Sequence, residues 1–143
     1  MTLAALVQKI EAIAAAQPNV EMIVPNDVFL LNSRPDAKYG VFAWTQGQHS
    51  GSLDAYATGF RFTFFYVDRL TADESNRLEI QSVGVETLTN IIRALGRELE
   101  MDAWTFTTFN QKFADLCAGV YAQVTIYAPV ETVCVENYCN CNG

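Results

Sequence analysis

The sequence predicts an α+β fold: a largely antiparallel β-sheet packed by an N-terminal helix and one long central helix, with a closing β-hairpin. Three observations carry this reading. Two segments, one at the start and one in the middle, repeat apolar residues at helical spacing. Stretches rich in β-branched and aromatic residues lie in runs on either side of the central helix. Runs segregated in this way place helices together on one face of a sheet, whereas a regular βαβ alternation would build a parallel one.

The elements follow in order. Thr2 can cap a first helix that runs to about Ala16, with Leu3, Leu6, Val7, Ile10 and Ile13 on one face. Pro18 and Asn19 stop it. Val20 to Val24 reads as a short strand before Pro25, and Val28 to Leu31 as a second apolar stretch closed by the turn-like NSRPDAKYG. Tyr39 to Thr45 reads as a strand, and QGQHSGSLDA as an exposed hairpin loop.

Tyr56 to Val67 is the strongest strand signal in the chain. Alternation puts Phe60, Phe62, Phe64 and Tyr66 on one face, and Arg61, Thr63, Phe65 and Val67 on the other. The first face suits a core under the two helices. The second carries Phe65 and Val67, which need cover from the chain itself or from another subunit. Phe65 and Val67, with His49 and Asp54 of the neighbouring loop, are the candidate interface residues.

Thr71 and Glu74 match a capping box, so the central helix is expected from Ala72 to about Leu99. Leu78, Val85, Leu88, Ile92, Leu95 and Leu99 form its apolar stripe, widened by Ile80, Val83 and Ile91. Gly84 inside this stripe costs about 1 kcal/mol against alanine, which close approach to the sheet would justify. Ala103 to Phe109 and Tyr121 to Pro129 read as two further strands, joined by NQKFADLCAG as a wide hairpin. Residues 130–143 show no periodicity. The expected organisation is therefore one α+β domain over 1–129 and a cysteine-bearing tail over 130–143.

Composition narrows the function classes. A length of 143 residues fits one domain, and 50% hydrophobic with 12% aromatic residues excludes a disordered chain. Charged residues make up 17%, against an average of about 25%, which suits a chain that makes subunit contacts. The net charge of −7 and nine scattered basic residues argue against a nucleic-acid reader, whose affinity rests on Lys and Arg. No apolar run reaches about 18 residues, so no membrane span is expected. The first sixteen residues lack a basic n-region, so synthesis in the cytoplasm without a signal peptide, with reduced cysteines, is expected.

Chemistry-bearing residues are sparse. Cys134, Cys139 and Cys141 have the spacing C-x₄-C-x-C with no histidine nearby and only Cys117 as a conceivable fourth ligand. Reduced thiols, with Cys117 a small buried apolar residue, explain them without a metal. His49, the single histidine, lies in a polar loop and reads as a surface residue. Asp68, Asp73 and Glu74 resemble paired carboxylates, yet a helix cap uses the same residues, with Arg69 pairing at the surface. Neither a glycine-rich phosphate loop nor a G-x-S-x-G elbow occurs. No enzyme activity, cofactor or metal is expected.

The words FFYVDRLT, SNRLEIQS and FADLCAGVYAQVTI resemble small virion proteins of tailed bacteriophages, especially crAss-like phages and related prophages. The resemblance covers roughly residues 55–128, and the element order is similar to the tail-terminator and head–tail connector fold. It implies a structural virion protein of the neck or tail that forms a sixfold or twelvefold ring of identical subunits. Its neighbours would be portal, connector or tail proteins, and DNA would pass through its lumen without specific binding. It brings no catalytic residues. The cysteine-bearing tail departs from simpler members of the group. Ring building needs heterologous contacts, and an acidic lumen, with Asp54 as a candidate lining residue, would repel DNA. The alternative from the residues alone is a small cytoplasmic ligand-binding or regulatory α+β domain.

Overall fold

The computed structural model describes residues 1–28, 31, 38–53, 57–112 and 115–129. The elements are α1 (Leu3–Ala15), β1 (Met22–Val24), β2 (Val41–Gln46), β3 (Ala57–Arg69), α2 (Arg77–Gly96), β4 (Glu100–Met101), β5 (Phe106–Lys112) and β6 (Leu116–Pro129). The fold is α+β: a six-stranded sheet in the order β1-β2-β3-β6-β4, with β5 also paired to β6. All pairs are antiparallel except β1 with β2.

The sheet is organised around β3 and β6, which pair from Ala57↔Pro129 to Arg69↔Cys117. On the far side of β6, β4 meets Tyr127 and Ile126 while β5 meets Ala122 to Leu116. The two short strands therefore lie end to end along one edge of β6. The expected wide hairpin is tighter than its sequence suggests, because Asn110, Gln111 and Lys112 extend β5 and Leu116 to Gly119 belong to β6. Glycine and cysteine in that stretch do not mark a turn.

Alternation in β3 determines which face is core. Phe60 and Tyr66 are almost fully buried, and Phe62 and Phe64 completely so. Across the ladder Phe60, Phe62, Phe64 and Tyr66 stand opposite Ile126, Val124, Ala122 and Val120. The rings of Phe42 and Phe64 lie 5.4 Å apart and those of Trp44 and Phe62 5.9 Å apart, within the range for favourable aromatic pairs. Each fully buried Phe contributes about 1.5–3 kcal/mol by leaving water. Helix α2 closes this face with Leu88, Ile91, Ile92 and Leu95. Gly84 is buried there, and a Cβ on it would stand 3.0 Å from Val120 Cγ2 and 3.1 Å from Tyr66 Cδ1. That is the close helix–sheet approach its position in the stripe suggests.

Helix α1 begins as its sequence dictates. Thr2 Oγ1 accepts from the Ala5 N–H at 3.1 Å, and Leu6, Ile10 and Ala14 are buried. An ion pair between Lys9 and Glu98 links α1 to the chain just after α2.

Helix α2 starts five residues later than the capping-box pattern implies, at Arg77 where Ala72 was expected. The Thr71 hydroxyl donates to Asp73 Oδ1 at 2.8 Å and does not cap a helix. Asp73 Oδ1 also accepts from the Ser75 N–H at 3.1 Å, and the Glu74 N–H donates to the Thr71 carbonyl at 2.9 Å. Asn76 bridges back to the strand, accepting from the Thr71 N–H at 2.9 Å and donating to the Arg69 carbonyl at 3.2 Å. Short polar side chains thus satisfy these backbone groups in a turn, the standard competition with helix. Glu74 sits at φ 57°, outside the helical region, and pairs with Arg77. The hydrogen bonds from Thr71 and Ser75 hold the Asp73 carboxyl below its ordinary range.

Candidate functional site

Neither α1 nor α2 packs on the second face of the sheet. Its side chains come from the alternate positions of each strand: Val41 and Ala43 of β2, Phe65 and Val67 of β3, Gly119 and Tyr121 of β6, and Phe109 of β5. Three zones follow one another along it.

The first zone is a small second core. Val24, Val28, Leu31, Val41, Ala43, Val67 and Cys117 are buried together, with Phe65 and Phe109 packed at its margin. Val28 and Leu31 belong to the connection between β1 and β2. Parallel neighbours need a crossover, and here its described residues pack on the helix-free face. This corrects one candidate: Val67 has 0% of its surface exposed, so it offers nothing to a neighbouring subunit. The chain's own crossover covers it.

At the rim of this core lies a polar group. Arg69 Nη2 pairs with Asp115 Oδ2 at 3.0 Å, the Tyr39 hydroxyl donates to the same oxygen at 3.3 Å, and the Arg69 guanidinium lies 5.0 Å from the Tyr39 ring centroid. Burial, followed by its contacts with Cys117 and Asp115, pushes the Tyr39 hydroxyl well above its ordinary value. Burial likewise raises Asp68, against the opposing Arg69 N–H and charge. The Cys117 thiol donates to the Asp115 carbonyl at 3.4 Å, and burial pushes it up to about 11. A thiol raised in this way is a poor nucleophile. In a chain with Cys134, Cys139 and Cys141 changed to serine, Cys117 should stay unlabelled by a thiol reagent at about pH 8 until denaturant is added. Fast labelling of the native chain would contradict its burial.

The second zone is an aromatic triad in the middle of the face. Phe65, Phe109 and Tyr121 lie with ring centroids 6.3 Å (Phe65–Phe109), 5.7 Å (Phe65–Tyr121) and 6.2 Å (Phe109–Tyr121) apart. All three are half-buried. Phe65 is thus the sequence candidate that the fold leaves partly open. The other two members come from strands far along the chain, and only the strand register brings them to it.

The third zone is open and polar: Thr45, Thr63, Gln123, Thr125 and Arg61, with Tyr127 at the corner. The Tyr127 hydroxyl donates to Asp102 Oδ2 at 2.9 Å, a bond that raises its ionisation above the ordinary value. Across β2, β3, β5 and β6 this face holds no Asp or Glu side chain, although the chain as a whole carries −7. Glu100 and Asp102 stand only at its corner.

His49 is not on this face. Its ring lies 5.2 Å from Phe60 and 5.8 Å from Phe62, on the helix side. Its Nδ1 accepts from the Arg61 N–H at 3.1 Å, so the proton sits on Nε2, which donates to Gln46 Oε1 at 3.0 Å. The loop is exposed over its described residues, as expected, and is folded back on β3, with Gly47 donating to the Arg61 carbonyl and a Ser50↔Gly59 bridge. His49 is a structural clamp for this hairpin and not a contact residue of the open face. Asp54 and Cys134, Cys139 and Cys141 lie outside the described residues. Among the described residues no three His, Cys, Asp or Glu side chains come together as a metal would require.

Two surface depressions lined by described residues are open to solvent. One of about 520 Å³ lies by Ser50, Gly59, Glu100 and Tyr127; another of about 360 Å³ lies by Ile92, Arg97, Met101 and Trp104. Neither encloses a small molecule as a dedicated ligand pocket does. No helix among the described residues is long and apolar enough to cross a membrane. No protein-family model matches the chain, and no curated protein matches it.

Proposed function

We propose that the chain is a structural, non-catalytic virion protein of a tailed bacteriophage, a ring-forming subunit of the head–tail connector or tail terminator. The observation that carries this reading is the helix-free sheet face. It is free of carboxylates over its four main strands and centred on three half-exposed aromatic rings. Interface centres are depleted of charge and enriched in aromatic residues. In an acidic chain, such a surface is where two copies meet with least repulsion. The arrangement of both helices on one side of a mostly antiparallel sheet also suits the resemblance in residues 55–128.

The proposal places the ring in the neck or tail, with portal, connector or tail proteins as neighbours and DNA crossing an acidic lumen. Mass spectrometry of purified virions should find the chain as a stoichiometric component. Native mass spectrometry and negative-stain images of the purified chain, alone and with its neck neighbours, should show closed rings. A chain absent from virions ends the proposal.

A further inference from the structure

Helix α2 leaves one large apolar side chain in water. Leu78, in its first turn, is 74% exposed. A single exposed leucine is ordinary, but this one opens a row. Leu78, Ser82 and Glu86 follow at four-residue steps on the side of α2 away from the core, and all three are exposed. The rise of a helix puts Glu86 about 12 Å along the axis from Leu78. Glu86 has no ion pair among the described residues.

The helix-free face carries a matching row on β3. Phe65, Thr63 and Arg61 follow at two-residue steps, and the rise of a strand puts Arg61 about 13 Å from Phe65. Phe65 and Thr63 are half-buried and Arg61 is exposed. The Arg61 guanidinium likewise has no ion pair among the described residues. The two rows agree in order and in spacing. Each has an apolar end, a hydroxyl in the middle and a charge at the far end, and the two charges are opposite in sign. They cannot meet within one subunit, because α2 packs on the other side of the sheet.

We infer that Leu78, Ser82 and Glu86 of one copy dock on Phe65, Thr63 and Arg61 of the next, so that each subunit's α2 covers its neighbour's helix-free face. Glu86 then pairs with Arg61, and Leu78 closes over the aromatic triad at Phe65. Chain direction fits a repeating contact. Gly84 stands beside Tyr66, and β4, which follows α2, pairs with Tyr127 and Ile126 at the Gly59–Phe60 end of β3. Helix α2 therefore runs antiparallel to β3 in its own subunit. The docked helix runs antiparallel to β3 as well, so neighbouring copies share one orientation along the strands. Such a face-to-back contact is heterologous and can continue around a ring. The inference rests on the ring reading above and names the surfaces that meet in it.

Charge exchange tests this contact in the full-length chain. Arg61→Glu and Glu86→Arg each set like charges against one another. Each variant should melt as the wild type does and associate only at concentrations about tenfold higher or more. A chain carrying both changes should associate at the wild-type concentration. So should an equimolar mixture of the two single variants, because in alternating order every contact again joins opposite charges. With Cys134, Cys139 and Cys141 changed to serine, a Ser82→Cys chain mixed with a Thr63→Cys chain and oxidised should give a disulfide-linked pair that neither gives alone. Single variants that associate as the wild type does overturn the inference. So does a double variant as weak as the single ones, or the absence of the mixed disulfide. If the wild-type chain is nonetheless a full-number component of virions, the ring proposal stands and only this contact falls. A wild-type chain missing from virions removes the ring proposal itself.

Discussion

Phe65→Asp should abolish ring assembly while leaving a folded subunit. Phe65 is half-buried, its ring edge-on to Phe109 and tilted against Tyr121, in the middle of the helix-free face. A carboxylate there does two things. It removes an aromatic anchor, and truncating central anchors of this kind commonly costs about 2 kcal/mol or more of binding. It also puts a desolvated negative charge into a contact between chains that each carry −7. Within the subunit the loss is smaller, about 1–2 kcal/mol, because the ring is only partly enclosed and the new carboxylate can reach water. The expected result is a monomer with the wild-type far-UV spectrum and a cooperative melt a few degrees lower. If the chain unfolds instead, Phe65 is core and says nothing about assembly. Gln123→Arg then decides, since Gln123 is exposed on the same face. A ring that forms normally with Arg at 123 would show that this face is free in the assembly.

Phe65 also shows how far the sequence reaches. The alternation of Phe60, Phe62, Phe64 and Tyr66 was legible because a strand buried under helices must repeat at period two. The stripe of Leu88, Ile92 and Leu95 was legible for the matching helical reason. Thr2 was readable as a cap because its hydroxyl and the helix it serves are neighbours in sequence. The destination of Phe65 was not readable, since Phe109 and Tyr121 reach it only through the β3–β6–β5 register. The cover of Val67 depended on where Val28 and Leu31 land after the crossover. His49 looked like a loop residue because nothing local announces that its Nδ1 will meet the Arg61 N–H. The late start of α2 has another cause. Thr71 and Glu74 fit a capping box, but Asp73 and Asn76 offer the same backbone groups a competing turn. Two-residue β4 has no periodicity to detect.

Gly119→Ala should be the most damaging single-methyl change in the molecule. Gly119 lies near the start of β6, opposite Val67 on one side and Phe109 on the other. A Cβ there would stand 2.1 Å from the Tyr66 carbonyl oxygen and 2.8 Å from Phe109 Cζ. The ring can swing away, but the carbonyl belongs to the backbone of β3 in the central ladder. Relief therefore requires β3 and β6 to shift apart where the two cores meet. Overpacking a rigid site usually costs about 1–3 kcal/mol, and a backbone obstacle puts this case at the upper end. For a chain of this size that lowers the melting temperature by about 10 °C. Displacing Phe109 would also disorder the aromatic triad, so assembly should weaken together with stability. Gly96→Ala supplies the contrast. A Cβ at Gly96 meets nothing within 4 Å and the residue has no positive φ, so alanine at the end of α2 should stabilise by about 0.5–1 kcal/mol. Thermal melts of the two variants separate close approach from mere helix or strand preference. Equal melting temperatures would mean that β3 and β6 have room at Gly119, and that the aromatic triad does not depend on their spacing.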